Sequence, residues 1–189
     1  MTNESHVERF YSTQEIDDMI KTKDFPEFKY TLSDAVMFLL AARNKPIKGR
    51  TRQMKEVFLA LGEVLLKERV QPVHFIKHRL GPYSEEVEYT IEHLIASNYL
   101  SASGQKNTGD FAIKLTPKGL KHIEGKYNSL PENTRKLLSR KRQEWDSFIS
   151  QGILKLVYTH YTDYLENSVY KYRYEKLDWN NDNQRPEKK

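Results

Sequence analysis

The chain has no cysteine among its 189 residues, which excludes disulfides, thiol catalysis and every cysteine-based zinc site. It also lacks any apolar run near the ~20 residues that a membrane-spanning helix needs, so no membrane contact is expected. No glycine-rich phosphate loop and no nucleophile elbow occur. His74 and His78 have the i, i+4 spacing of a metal-binding pair on a helix, but no glutamate lies between them and no third ligand is evident. Polar residues on a basic face are the simpler reading. The chain therefore reads as a non-enzyme with no metal and no cofactor. Its first residues, MTNESHVERFYST, are polar with two glutamates and have the character of neither a secretory signal nor a transit peptide. A cytoplasmic location is the expectation.

What is present is charge: 30% of residues are charged against 38% hydrophobic, with a net charge of +5. That balance fits one soluble globular core with a large wet surface, plus an appendage. A moderately basic chain is compatible with nucleic acid without being diagnostic of it.

Punctuation and apolar period then lay out the elements. STQEIDDMI has capping-box spacing between Ser12 and Glu15 before a short helical pattern. TLSDAVMFLLAARN predicts a helix buried on more than one side, with Thr31 or Ser33 as its cap. Pro46 and Gly49 break it. From Thr51, Met54, Val57, Phe58, Leu61 and Leu65 form one apolar stripe at spacings of 3 and 4. Pro72 is expected to open a short helix, VHFIKHR, closed by the Gly81-Pro82 turn. Ser84 caps the next helix, Glu85 and Glu86 suit the positive end of its dipole, and Asn98 closes it. YLSAS and FAIKLT flank a polar tip and read as a hairpin. Thr116 and Pro117 start a further helix. Beyond Leu130-Pro131, Leu138, Trp145, Ile149, Leu156 and Val157 share a face of one long or two shorter helices.

Helix, short helix, helix and hairpin between Thr51 and Thr116 is the order of a winged helix-turn-helix. The expected fold is therefore mainly α with a small β-hairpin, carrying N-terminal and C-terminal helical extensions. Its segments are an N-terminal extension over residues 1–30, the winged domain over 31–130, a helical segment over 131–176 suited to dimerisation, and a disordered tail over 177–189.

Four stretches, KPIKGRTRQMKEVFL, FIKHRLGPYSEEVEYTIEHLIASNYL, KLTPKGLKHI and LKLVYTHYTDYLENS, together resemble the YwgA-type and related Panacea (SocA-like antitoxin) winged-helix proteins. The resemblance spans roughly residues 33–170, and Gly81-Pro82-Tyr83-Ser84 is its most specific part. It implies a winged-helix fold and, for some members, an antitoxin-like or adaptor role through protein contacts. It implies no catalytic residues. The Tyr-rich, basic C-terminus departs from the antitoxin relatives.

Three basic clusters are candidates for phosphate contact. Arg43, Lys45, Lys48, Arg50, Arg52 and Lys55 precede the acidic Glu56; Lys77, His78 and Arg79 precede the Gly-Pro turn; Arg135, Lys136, Arg140, Lys141 and Arg142 form the third. A solvated surface is the competing reading of each. The helix that a winged fold nominates as DNA reader is poorly suited to it. Ser84 to Ser97 holds Glu85, Glu86, Glu88 and Glu92 and no Lys or Arg, and carboxylates entering a groove meet flanking phosphate. At the hairpin tip Lys106, Asn107 and Thr108 suit a backbone contact or any exposed turn. Tyr158, Tyr161 and Tyr164 read as a packing stripe. Tyr170, Tyr172 and Tyr174 alternate with Lys171 and Arg173, a pattern for an edge strand, a base-stacking surface or an oligomer contact.

Two functions follow as expectations. The leading one is a transcriptional regulator, acting as a homodimer, that binds duplex DNA through Arg43, Lys45, Lys48, Arg50, Arg52, Lys55, Lys77, Arg79 and Lys106. The other is a protein-interaction adaptor in which Glu85, Glu86, Tyr170, Tyr172 and Tyr174 meet a protein partner.

Overall fold

The computed structural model describes residues 28–106, 108–177 and 179. The short helical pattern at Ser12–Glu15 and the hairpin-tip Asn107 lie outside them. Among the described residues the chain is mainly helical with two small antiparallel sheets. No helix there is long and apolar enough to cross a membrane.

Helix α1 (Leu32–Ala41) starts at Thr31, whose side chain accepts from the Asp34 amide while the Asp34 carboxylate accepts from the Thr31 amide. Leu32, Ala35, Val36, Met37, Phe38, Leu39 and Leu40 are all buried, so α1 is enclosed on every side. Such a helix has no solvent face to set its register, and the cap fixes its start instead. Strand β1 (Ile47–Lys48) follows, then helix α2 (Arg50–Leu59), which continues as a π-helical turn over Ala60–Val64. After α2 come β2 (Ile76–His78) and β3 (Gly81–Tyr83), helix α3 (Glu85–Ala96), strands β4 (Leu100–Ser103) and β5 (Ala112–Leu115), and helix α4 (Pro117–Asn128). Ser84 and Thr116 cap α3 and α4 as their positions predict, accepting from Val87 and Gly119. Helix α3 ends at Ser97 rather than Asn98, which takes the left-handed conformation just beyond (φ 58°).

One expected element is different. The segment after Pro72 is not a short helix. It is extended and forms the β2–β3 hairpin, pairing Ile76 with Tyr83, Lys77 with Pro82 and His78 with Gly81. The reason lies in its burial: Val73 and Phe75 point inward while His74 and Ile76 are exposed, a period of two. Gly81 sits at φ 82° in the reversal, where a side chain would be strained. The helical spacing of His74 and His78 disappears with the helix.

The hairpin expected at β4–β5 is present, and β1 joins it to make a three-stranded sheet in the order β1-β5-β4. A Cβ on Gly104 (φ 78°) would lie 2.5 Å from the Asp110 carbonyl oxygen, so the tip requires glycine there.

The C-terminal part forms two helices, α5 (Glu132–Ser147) and α6 (Ser150–His160), and two short 3₁₀ segments at Thr162–Leu165 and Tyr174–Lys176. Leu138, Trp145, Ile153, Val157 and Tyr158 are buried in the same core as α1 and α2, so the inward face of α5 and α6 is used within the chain. Tyr170 to Arg173 is turn and Tyr174 opens the second 3₁₀ segment, so the stretch is not an edge strand. The tail expected to be disordered from 177 on is anchored at its start: Leu177 is buried and the Trp179 ring lies 5.3 Å from that of Phe148.

Candidate interaction cleft

Most of the cations expected to meet phosphate are engaged within the molecule. Arg52 donates from Nε to Glu56 at 2.6 Å, and its two terminal nitrogens donate to the carbonyls of Phe148 and Trp145 at the end of α5. Glu56 also meets Arg142 Nε at 3.0 Å, and neither side chain reaches solvent. Arg142 pairs with Asp146 and donates to the Pro46 carbonyl at 3.2 Å. Arg43 lies 3.8 Å from the same Asp146. Arg52, Glu56 and Arg142 thus bolt α2 to α5. Burial raises the Glu56 carboxyl, partly offset by the two guanidinium groups, and burial likewise lowers Arg142.

Lys55 is 2% exposed. Its Nζ donates to the Pro82 carbonyl at 2.6 Å, and desolvation lowers its pKa to about 7. It is not placed to meet phosphate. Lys77 pairs with Glu166 at 2.6 Å, which raises the one and lowers the other. In the third cluster Lys136 meets Glu132 at 2.6 Å and Lys141 meets Glu63 at 3.1 Å. Lys45, Lys48 and Arg79 are exposed and meet no carboxylate among the described residues.

What the fold assembles instead is a cleft of about 1170 Å³. The start of α2 contributes Arg50 and Met54, the β2–β3 hairpin Ile76 and Leu80, the β4–β5 hairpin Lys106 and Phe111, and the start of α6 Ser150 and Leu154. Helix α3 contributes Glu85, Glu88, Ile91, Glu92 and Ile95. Spacings of 3 and 4 put these five on one helical face. Carboxylates and isoleucines therefore enter the same space.

Two of the carboxylates already hold cations from other elements. Arg50 of α2 pairs with Glu88, which also accepts from the Tyr83 hydroxyl at 2.6 Å. Lys106, at the β4–β5 tip, reaches Glu92 on α3, and that hydrogen bond holds the Glu92 carboxyl below its usual range. Glu85 is exposed and holds no cation among the described residues.

Of the residues expected to meet a protein partner, Glu85 and Tyr170 line this one cleft. Glu86 is exposed outside it, and Tyr172 is 92% exposed. Tyr174 is half-buried with its ring 6.2 Å from that of Tyr158. The cleft itself is not visible in the sequence, because it is made by six separated segments. Among the described residues no group of three or more histidines and carboxylates is placed to hold a metal. No family model matches the chain, and no curated protein matches it either.

Proposed function

We propose that the chain is a non-catalytic, cytoplasmic protein-interaction module, built on a winged helix-turn-helix scaffold whose cleft receives a partner protein. The scaffold reading is supported by the order α1, β1, α2, α3, β4, β5, with β1 completing the sheet of the β4–β5 hairpin. The β2–β3 hairpin stands where the middle helix of the motif was expected. The resemblance carried by Gly81 to Ser84 is to families of which some members act through protein contacts, which is compatible with this reading.

One observation carries the functional choice. The helix that would lie against DNA turns Glu85, Glu88 and Glu92 into a partly apolar cleft, while Arg43, Arg50, Arg52, Lys77 and Lys106 are in ion pairs with carboxylates of this chain. Phosphate binding would have to break those pairs and also bring four glutamates near a polyanion. The second reading, a DNA-binding regulator, keeps Lys45, Lys48 and Arg79 as exposed cations.

Anisotropy titrations of duplex DNA at low and moderate salt separate the two. The module reading predicts weak binding at low salt that vanishes at moderate salt, with no sequence preference. Tight binding that survives moderate salt and is lost in Lys45→Glu/Lys48→Glu/Arg79→Glu would establish the regulator instead.

A further inference from the structure

We infer that the cleft takes a basic amphipathic segment of a partner protein, and that Lys106 occupies the partner's cation seat on Glu92 until that segment arrives. The inference rests on the interaction-module reading and specifies what the cleft receives.

Three carboxylates of α3 face the space, against Arg50 and Lys106 as their cations, while Lys55 and His78 also line it and the Lys55 ammonium is turned to the Pro82 carbonyl. Removing Lys106 from Glu92 leaves that carboxylate with only Arg50 nearby, which already pairs with Glu88, and Glu85 holds no cation among the described residues. An acidic ligand or a nucleic acid meets repulsion there, and a wholly apolar one strands the carboxylates away from water. A segment carrying lysine or arginine satisfies both.

The lining is also apolar. Met54, Leu80, Ile91, Ile95 and Phe111 line the same space, and Ile76 on its rim is 45% exposed. Charge alone would not need such a lining. The combination fits a segment that alternates cations with large apolar side chains, the usual form of a helix laid in a groove.

Lys106 sits at the tip of a hairpin and crosses to another element to reach Glu92, and both side chains are about half exposed. An ion pair of that kind is screened by water and exchanges readily for an equivalent one. A cation from the partner replaces Lys106 with little net change in charge pairing. The rise along α3 sets the register: Glu85 and Glu92 are separated by about 10 Å along the helix. Partner cations two helical turns apart match that distance.

The test uses the full chain and two fluorescent peptides of equal length, one built from leucine and lysine with lysines two turns apart, the other with glutamate replacing every lysine. Anisotropy at moderate salt is expected to show binding of the lysine peptide alone. Glu92→Gln is expected to weaken it about tenfold, and Lys106→Met to strengthen it several-fold by emptying the seat. Both side chains are about half exposed, so the fold is retained, and circular dichroism verifies it. Equal binding of the two peptides, both lost in Ile76→Arg, would overturn the charge assignment while leaving the cleft as an interaction surface. An unchanged or weaker affinity in Lys106→Met would overturn the seat. Failure of both peptides to bind would overturn the whole inference, whereas only tight DNA binding touches the reading beneath it.

Discussion

Lys55 and Arg142 are the two cations whose surroundings depart furthest from a solvated surface. Lys55 has one carbonyl partner and no carboxylate, so its ammonium form is penalised in the folded state and its pKa falls from 10.5 to about 7. Between those two values the unfolded chain binds more protons than the folded one, and stability therefore rises with pH across that window. The contribution is on the order of a few kcal/mol for a buried amine. Lys55→Met is expected to raise the melting temperature at neutral pH and to flatten its rise toward pH 10. A melting profile as steep as that of the wild type would refute this account of Lys55. Arg142 behaves oppositely, because its neighbours need it. Arg142→Met leaves Glu56 buried and short of a charge partner, and is expected to cost about 3–5 kcal/mol in urea unfolding. Adding Glu56→Met should recover part of that loss. The burial of Arg142 was legible in the sequence: Leu138, Arg142 and Trp145 follow spacings of 4 and 3, which places the arginine on the buried face. Grouping it with its basic neighbours hid this. Lys55 gave no such signal, because its burial depends on β3 arriving from 27 residues away.

At the scale of elements, caps and periods were readable wherever the causes are local. Thr31, Ser84 and Thr116 begin helices as their side chains dictate, and the β4–β5 hairpin follows from its turn residues. The segment after Pro72 was misread because proline suits a helix start and an extended strand alike. The alternating burial of Val73, His74, Phe75 and Ile76 decides for the strand. Gly81 tests the geometry of the reversal between β2 and β3. Its φ is 82°, and an added Cβ would lie 3.2 Å from the Tyr158 ring. Gly81→Ala is expected to cost about 1–2 kcal/mol in urea unfolding, the usual penalty of a side chain in the left-handed region. A cost near zero would contradict the left-handed conformation of Gly81 in the hairpin. The start of the tail was likewise hidden. Its composition is polar, yet Trp179 accepts the Ile149 amide at its carbonyl and receives the Lys155 ammonium over its ring at 5.1 Å.

For the whole molecule, net charge was the least informative number. A value of +5 suggests a polyanionic partner, but charge pairing inside the fold decides which cations remain available. The cleft depends on segments that meet only after folding, so no local pattern could have announced it. What sequence did supply was the acidic face of α3, and the fold turns three of its carboxylates into the cleft. The central claim is that this partly apolar cleft with the carboxylates of α3, rather than the exposed cations, is the binding surface. The most direct measurement is a pair of anisotropy titrations at moderate salt, in which the full chain is added separately to the labelled leucine–lysine peptide and to labelled duplex DNA. The account predicts saturable binding of the peptide and none of the DNA, and that Glu85→Lys/Glu92→Lys fails to hold the peptide at all. Saturable binding of the DNA by the protein under the same conditions, with the peptide held equally well by the double variant, would contradict it.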